Sequence, residues 1–275
     1  MATARDYLLS DALPHIWCPG CGHGTILGAL LRAIARIDPP KDDVVMISGI
    51  GCAGRAPGYL DFNTLHTTHG RALAFATGVK LASPERRVIV ITGDGDAAAI
   101  GGNHLIHAAR RNIGVTTICF NNSVYGMTGG QYSPLTPLGA FATTAPYGQV
   151  EPAFDLCELA RAAGASFVAR GTAHHAVALT DLIYQALQND GFSFVEAISQ
   201  CPVSYGRRNK LGNAAQMLRW QRDNTVNVKA AAKMTPEQLQ GKILTGVLHH
   251  AVRPEYARSY EQLVARLGAE REGKS

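Results

Sequence analysis

The chain of 275 residues has no apolar run of about 18 residues, which is the length that a transmembrane helix needs. Its first 14 residues also lack the apolar core and small-residue cleavage site of a secretion signal. Its six cysteines therefore have no secretory context, and a disulfide framework is not expected. These absences predict a cytoplasmic protein, not associated with a membrane, whose cysteines serve metal binding or redox chemistry.

The net charge of +5 is unevenly spread along the chain. The residues after Cys201 contain 13 Lys and Arg against 6 Asp and Glu, whereas the first 201 residues contain 13 against 15. The basic excess of the tail either attracts an acidic protein partner or belongs to a solvated arm that packs on another subunit. The basic residues are scattered and match no recognition motif, so no nucleic-acid partner is expected.

Apolar, β-branched segments alternate with helical patterns between residues 15 and 205. Because buried strands separated by helices form a parallel sheet covered on both faces, the pattern predicts a doubly wound α/β domain. Residues 1–14 form an N-terminal arm, and residues 206–275 form a C-terminal extension with helices expected at 235–250 and 255–267. Strands are predicted at residues 44–48, 88–92, 115–121, 167–169 and 194–198, and helices at residues 26–37, 71–82, 105–111, 154–163 and 176–189.

A Gly-Asp-Gly-Asp motif at residues 93–96 and an Asn-Asn pair at residues 121–122 both lie where a predicted strand ends. The carboxyl ends of parallel strands meet at one edge of a sheet, so the two motifs are expected to meet there. Mg²⁺ prefers hard oxygen ligands and often binds together with phosphates. Asp94, the Asn122 amide and the Val124 carbonyl are candidate ligands, and the glycines let the backbone approach a diphosphate. The alternative is that the motifs are two unrelated turns.

Four cysteines are candidate metal ligands: Cys18 and Cys21 in a Cys-x-x-Cys pair, then Cys52 and Cys201 after two predicted strands. Soft thiolates bind either an iron–sulfur cluster or zinc. Zinc sites more often use two compact pairs, whereas two of these cysteines stand alone. The remaining two lie within an apolar strand and a helix, where a role in the core is expected: Cys119 and Cys157.

The segment 123–152 is long, contains many Gly, Pro and Thr residues, and has little periodicity. Loops of this length are usually functional or disordered. Its tyrosines and paired glycines favour a structured loop over a ligand, and a flexible connection is the alternative.

Five short motifs occur in a characteristic order. They are Cys-Pro-Gly-Cys-Gly-His-Gly at 18–24, Gly-Ile-Gly-Cys at 49–52, His-Gly-Arg-Ala at 69–72, Gly-Asp-Gly-Asp at 93–96, and Asn-Asn-Ser-Val-Tyr-Gly-Met-Thr-Gly-Gly-Gln at 121–131. Together they resemble the β subunit of the 2-oxoacid:ferredoxin oxidoreductases, over residues 15–205. The extension is similar, more loosely, to the 2-oxoglutarate branch of that family.

The resemblance implies a thiamine diphosphate-binding fold with three bound groups. A [4Fe–4S] cluster would be held by Cys18, Cys21, Cys52 and Cys201, and Mg²⁺ by Asp94, Asn122 and the Val124 backbone. Arg55 is a candidate partner for the substrate carboxylate, with an ordinary surface role as the alternative, and His69 is a candidate catalytic residue. Thiamine diphosphate would contact Ile50, Gly51, Cys52, Ala53, His69, Gly93, Asp94, Gly95, Asn122, Gly126 and Met127.

The implied reaction converts 2-oxoglutarate, CoA and oxidised ferredoxin to succinyl-CoA, CO₂ and reduced ferredoxin, and it is reversible. An α subunit is the expected partner, in an αβ heterodimer or an (αβ)₂ assembly, with ferredoxin as the external electron acceptor. Pyruvate or another 2-oxoacid is the alternative substrate. A non-redox thiamine diphosphate enzyme with a structural zinc, and a purely structural metal-binding module, are the competing functions.

Overall fold

The β-branched segments form one sheet of eight strands within residues 2–272, the part of the chain that this computed structural model describes. In chain order the strands are β1 (Val44–Ser48), β2 (Asn63–His66), β3 (Arg87–Gly93), β4 (Val115–Asn121), β5 (Phe167–Thr172), β6 (Ser193–Ile198), β7 (Thr225–Asn227) and β8 (Ile243–His250). Their order in the sheet is β2-β1-β3-β4-β6-β5-β8-β7. Strands β1 to β6 are parallel to one another, whereas β8 pairs antiparallel with β5.

Helices cover both faces of the sheet, as the sequence predicted. In β3, the side chains of Ile89 and Ile91 belong to a core shared with α1 and α5, whereas Val88 and Val90 belong to a core shared with α2, α3 and α4. Both faces of the central strands are therefore buried, which explains their continuous apolar sequences. The helices are α1 (His23–Ile37), α2 (Ala72–Ala82), α3 (Gly102–Arg111), α4 (Leu156–Ala163), α5 (Ala176–Gln188), α6 (Ala214–Asp223), α7 (Val228–Ala231), α8 (Pro236–Leu239) and α9 (Tyr256–Glu272).

The helix predicted over residues 235–250 is wrong for most of its length. Thr235 does cap α8, since its side chain accepts a hydrogen bond from the Gln238 N–H, but that helix has only four residues. Residues Ile243–His250 instead form β8, which pairs with the edge of β5. An edge strand has unpaired backbone groups, and satisfying them outweighs a weak local preference for helix.

The C-terminal extension is continuous with the sheet, because it contributes β7 and β8. The division into an arm, a domain at 15–205 and an extension stays a prediction; Met1 and residues 273–275 lie outside the described residues. The helix expected at 255–267 is present as α9. Within residues 2–272, no helix is both long and apolar enough to cross a membrane.

Candidate cofactor and metal site

Four loops that follow β1, β2, β3 and β4 meet at the carboxyl edge of the sheet. These strands are consecutive in the sheet, so the loops lie side by side. They surround a small cleft of about 150 Å³. Every residue that the sequence predicted to contact the cofactor lines this cleft: Ile50, Gly51, Cys52, Ala53, His69, Gly93, Asp94, Gly95, Asn122, Gly126 and Met127.

Asp94 is a buried carboxylate on the floor of the cleft. Burial raises the pKa of its carboxyl to about 6, although hydrogen bonds from the Ser133 hydroxyl and the Asn122 N–H oppose this shift. A buried carboxylate is stable in its charged form when a cation lies beside it. Asp94 therefore has the properties of a metal ligand.

Three oxygen-bearing groups converge beside Asp94. One terminal atom of the Asn122 amide lies 3.0 Å from Asp94 Oδ1 and 2.7 Å from the Val124 carbonyl oxygen. If that atom is nitrogen, it donates to both oxygens; if it is oxygen, three oxygens face one another and need a cation between them. Adjacent ligands of an octahedral ion with bonds of 2.0–2.1 Å lie about 2.9 Å apart. The three groups thus fit Mg²⁺.

Asp96 is a structural residue that joins three loops, a role that the sequence analysis missed. Its side chain accepts hydrogen bonds from the Gly70 N–H at 2.5 Å and the Thr92 hydroxyl at 2.9 Å. A Cβ at Gly49 would lie 1.6 Å from Asp96 Oδ2, so only glycine fits there. His69 Nδ1 lies 2.8 Å from Asp96 Oδ1, but its ring is not aligned for a hydrogen bond. The sequence feature that could have indicated this role is the second aspartate of the Gly-Asp-Gly-Asp motif, which is Asp96.

The loop after β4 is ordered and closes one side of the cleft. Tyr125 donates from its hydroxyl to the Gly95 carbonyl at 3.1 Å, and its N–H donates to the Gln131 carbonyl at 2.9 Å. A Cβ at Gly95 would lie 2.2 Å from the Tyr125 ring, so this glycine is required for the loop to pack. The prediction of a structured loop agrees with this arrangement.

The segment that carries Cys18 and Cys21 is attached to the loop after β6. The Gly22 N–H donates to the Gln200 carbonyl at 3.2 Å, and Cys201 is the next residue of that loop. The two cysteine-bearing segments, far apart in sequence, therefore lie side by side.

The four candidate thiols form one cluster at the cleft. Burial, followed by the charges of the neighbouring cysteines, raises the pKa of Cys21 to about 12 and that of Cys52 to about 11. Cys201 is also buried, whereas Cys18 is exposed. Thiols with such raised pKa values become thiolates when they bind metal ions.

Cys119 and Cys157 lie in the core, as the sequence predicted. Arg55, by contrast, is exposed and does not line the cleft. Its positive charge nevertheless opposes the effect of burial on the pKa of Cys52, so its side chain lies near that thiol. The structure brings together the predicted cofactor and metal residues, while Arg55 stands at the periphery.

A family model described as the thiamine pyrophosphate enzyme, C-terminal TPP binding domain, matches residues 49–197. Among curated relatives, the 2-oxoglutarate synthase subunit KorB of Methanothermobacter marburgensis is 55% identical over 249 residues, which are 90% of this chain and 87% of that protein. The subunit of the same name from Methanocaldococcus jannaschii is 48% identical over 98% of this chain and its own full length.

Among solved structures, a 2-oxoglutarate:ferredoxin oxidoreductase from Magnetococcus marinus, with 2-oxoglutarate, coenzyme A and succinyl-CoA bound, is similar to this chain. The TM-score is 0.86 at 34% sequence identity, and the match covers 97% of this chain and 91% of that one. The similarity therefore extends beyond the domain matched by the family model and includes the C-terminal extension.

Proposed function

This chain belongs to the β-subunit family of the 2-oxoacid:ferredoxin oxidoreductases, and we propose that with an α subunit it oxidises 2-oxoglutarate. The reaction consumes 2-oxoglutarate, CoA and oxidised ferredoxin, yields succinyl-CoA, CO₂ and reduced ferredoxin, and is reversible. One observation supports the proposal: the oxygen-bearing groups of Asp94, Asn122 and Val124 line the same cleft as Cys52, which lies near the other three candidate cysteines. A cofactor and an electron acceptor must be adjacent in such an enzyme.

The oxygen groups of Asp94, Asn122 and Val124 would hold Mg²⁺ and, through it, the diphosphate of thiamine diphosphate. When bound, this cofactor supplies the electron sink that allows a 2-oxoacid to lose CO₂. The backbone at Gly93 and Gly95 faces the cleft, where the absence of side chains leaves room for phosphate oxygens. The protein thus binds and orients the cofactor, and the loop with Tyr125 limits access of water.

The cysteine cluster favours [4Fe–4S] over zinc by its spacing. Tetrahedral zinc with bonds of about 2.3 Å requires sulfur atoms about 3.8 Å apart. Among the described side chains, no three of these sulfurs lie within 4.8 Å of one another. Cys18, Cys21, Cys52 and Cys201 would each supply one thiolate to a [4Fe–4S] cluster, which accepts more widely spaced ligands than a single zinc ion does. When bound, it accepts electrons one at a time.

Gly126 separates the proposed metal site from the cysteines. A Cβ at this position would lie 3.7 Å from Asn122 Nδ2, Cys52 Sγ and Cys201 Sγ, so a larger side chain would enter the space between them. We expect Gly126→Val to weaken thiamine diphosphate binding by about 5- to 150-fold, because overpacking costs about 1–3 kcal/mol. Isothermal titration calorimetry at saturating Mg²⁺ measures this change.

Gly126→Ala is the matched control, since 3.7 Å is an ordinary contact and the φ of Gly126 is not positive. It should bind the cofactor with an affinity within about threefold of wild type. Equal binding by the valine variant would show that this position does not face the cofactor.

Arg55 stays a proposed contact for a substrate carboxylate. Its planar guanidinium suits bidentate binding, and its side chain lies near Cys52, which lines the cleft. We expect Arg55→Ala to raise KM for 2-oxoglutarate about 10-fold or more, because a hydrogen bond to a charged group contributes about 1.5–3 kcal/mol. Arg86→Ala, which removes a surface arginine paired with Asp43, is the control. An unchanged KM would show that Arg55 does not bind the substrate carboxylate.

His69 remains a candidate catalytic residue because it lines the cleft.

The proposed partners are the α subunit, ferredoxin and CoA, with an αβ or (αβ)₂ assembly in the cytoplasm, where thiolates stay reduced. The loop beside the cleft supports a covering subunit, because it exposes five large apolar side chains: Met127, Leu138, Phe141, Tyr147 and Val150. Exposed apolar patches are typical of protein interfaces. The basic tail would attract an acidic ferredoxin.

A substrate survey tests the proposal. The chain is co-purified without oxygen with its α subunit, and ferredoxin reduction is measured with 2-oxoglutarate, pyruvate and a branched 2-oxoacid, each with and without CoA. CoA-dependent reduction that is fastest with 2-oxoglutarate is expected. Preference for pyruvate would correct the substrate, and CO₂ release without reduction of ferredoxin would indicate a non-redox enzyme.

A further inference from the structure

A buried ion pair lies behind the proposed Mg²⁺ site, on the adjacent strands β5 and β6. Arg170 and Glu196 face each other in the register of these strands, and Arg170 Nε donates to Glu196 Oε2 at 2.6 Å. Arg170 also donates to Asp155 Oδ1 at 2.6 Å, while the Cys157 thiol lies 3.4 Å from Glu196 Oε2. The guanidinium therefore joins two carboxylates, one of them deeply buried.

The second oxygen of Glu196 is directed to the turn that carries the metal ligands. Glu196 Oε1 accepts a hydrogen bond from Asn121 Nδ2 at 2.6 Å, and Asn121 Oδ1 accepts one from the Ser123 N–H at 3.0 Å. Ser123 has a φ of 61°, a conformation that costs energy for a residue other than glycine. The side chain of Asn121 thus holds a strained turn that presents Asn122 and Val124.

The backbone of Asn121 connects the same turn to the cysteine cluster. Its carbonyl accepts from the Ser199 N–H at 2.7 Å, two residues before Cys201. One asparagine, anchored by Glu196, therefore contacts both loops that carry metal ligands. Displacing Asn121 should move these ligands relative to each other.

A buried ion pair contributes little to stability compared with apolar residues of similar size, because desolvating two charges is costly. Burial alone would lower the pKa of Arg170, but the Glu196 carboxylate raises it overall, so the guanidinium stays charged. Asparagine needs a fixed, strong acceptor if its amide is to keep one orientation, and a carboxylate held by arginine supplies it. The pair is thus better explained by orientation than by stability.

We propose that Glu196 and Arg170 are positioning residues that fix Asn121, and through it the Asn122–Val124 turn, in the geometry that binds Mg²⁺. The inference rests on the proposed function, since it assigns these residues to the thiamine diphosphate–Mg²⁺ site. Neither residue touches the metal or the cofactor.

The test measures how much Mg²⁺ the complex with the α subunit needs to bind thiamine diphosphate. Calorimetric titrations of the cofactor at a series of Mg²⁺ concentrations give the concentration for half-maximal binding. Glu196→Gln should raise it about 10-fold or more, because residues that orient metal ligands typically contribute 10- to 100-fold to affinity. Excess Mg²⁺ should restore binding, which a general loss of structure would not allow.

A second variant keeps the fold while removing the anchor. Arg170→Met combined with Glu196→Met replaces the pair by apolar side chains, which often maintains or increases stability. This double variant should still fold, although Asn121 Nδ2 loses its acceptor, and it should show the same increase in Mg²⁺ requirement.

Asp155→Asn is the matched control. Asp155 is half-exposed and contacts Arg170 but not Asn121, and asparagine caps a helix as well as aspartate does. Its Mg²⁺ requirement should stay within about twofold of wild type.

Three results would be decisive. The inference is supported if both the glutamine and the double-methionine variants need more Mg²⁺ to bind thiamine diphosphate, excess Mg²⁺ restores their binding, and the control is unchanged. A correctly folded double variant that needs no more Mg²⁺ than wild type overturns the inference, and the proposed function is unaffected. If wild type itself binds no thiamine diphosphate with Mg²⁺, the proposed function fails, and the inference fails with it.

Discussion

Asp94→Asn is expected to lower the affinity for thiamine diphosphate and Mg²⁺ at least about 100-fold, since it removes the only charge among the three proposed ligand groups. The amide has the same shape as the carboxyl and still accepts from Ser133, so the loop should keep its conformation. Cofactor retention after gel filtration, together with calorimetry, measures the loss.

The same substitution should not destabilise the protein without cofactor. The pKa of Asp94 is raised from 3.8 to about 6, mainly by burial, so the folded chain holds this proton more tightly than the unfolded chain. The contribution of Asp94 to the free energy of unfolding is therefore fully present below about pH 4. It is lost as the pH rises through 6, because the buried carboxyl must then ionise. Asparagine carries no charge, so the variant should melt at the same or a higher temperature at pH 7.

Asp181→Asn is a suitable control for both measurements, because it makes the same chemical change at an exposed ion pair with Arg36. It should leave cofactor binding unchanged. If Asp94→Asn bound the cofactor as wild type does, the assignment of the metal site would be wrong.

The second large effect is expected from Cys52→Ala. Cys52 is the only one of the four candidate cluster ligands that also lines the cofactor cleft. Its removal should lower ferredoxin reduction at least about 100-fold, because the proposed cluster would lose one of the four residues that would hold it. Binding of thiamine diphosphate should persist, since Asp94, Asn122 and Val124 are unchanged.

Cys119→Ala tests whether any buried cysteine would have this effect. Cys119 is fully buried in the core on β4 and belongs to no proposed metal site. The Cys119→Ala variant should contain as much iron as wild type and should reduce ferredoxin at the same rate. Full ferredoxin reduction by Cys52→Ala would contradict the assignment of the cluster.

Much of the fold follows from local sequence because both faces of the central strands are buried. Val115–Asn121 and Val44–Ser48 have the bounds that the sequence predicted. The positions of Asp94 and Asn122 were predictable for a related reason: each follows its strand directly, and parallel strands end at one edge. Local sequence therefore predicts most of the sheet and the edge at which the candidate site lies.

The remainder depends on contacts between distant segments. The predicted strand over 167–169 stopped before Arg170. In the structure β5 continues to Thr172, since Glu196 on β6 lies opposite Arg170 and pairs with it. Strand β8 likewise forms because it pairs with the free edge of β5. Ser133 lies in a loop without periodicity, and its hydroxyl donates a hydrogen bond to Asp94. No local pattern encodes these partners.

The most direct test of the central claim is electron paramagnetic resonance of the anaerobically purified complex with its α subunit. Spectra are recorded before and after the addition of 2-oxoglutarate, and again after CoA. A signal that develops with 2-oxoglutarate and changes with CoA, in a protein with about four iron atoms per β subunit, is the expected result. A complex that contains zinc in place of iron, or iron that no 2-oxoacid reduces, would contradict the account.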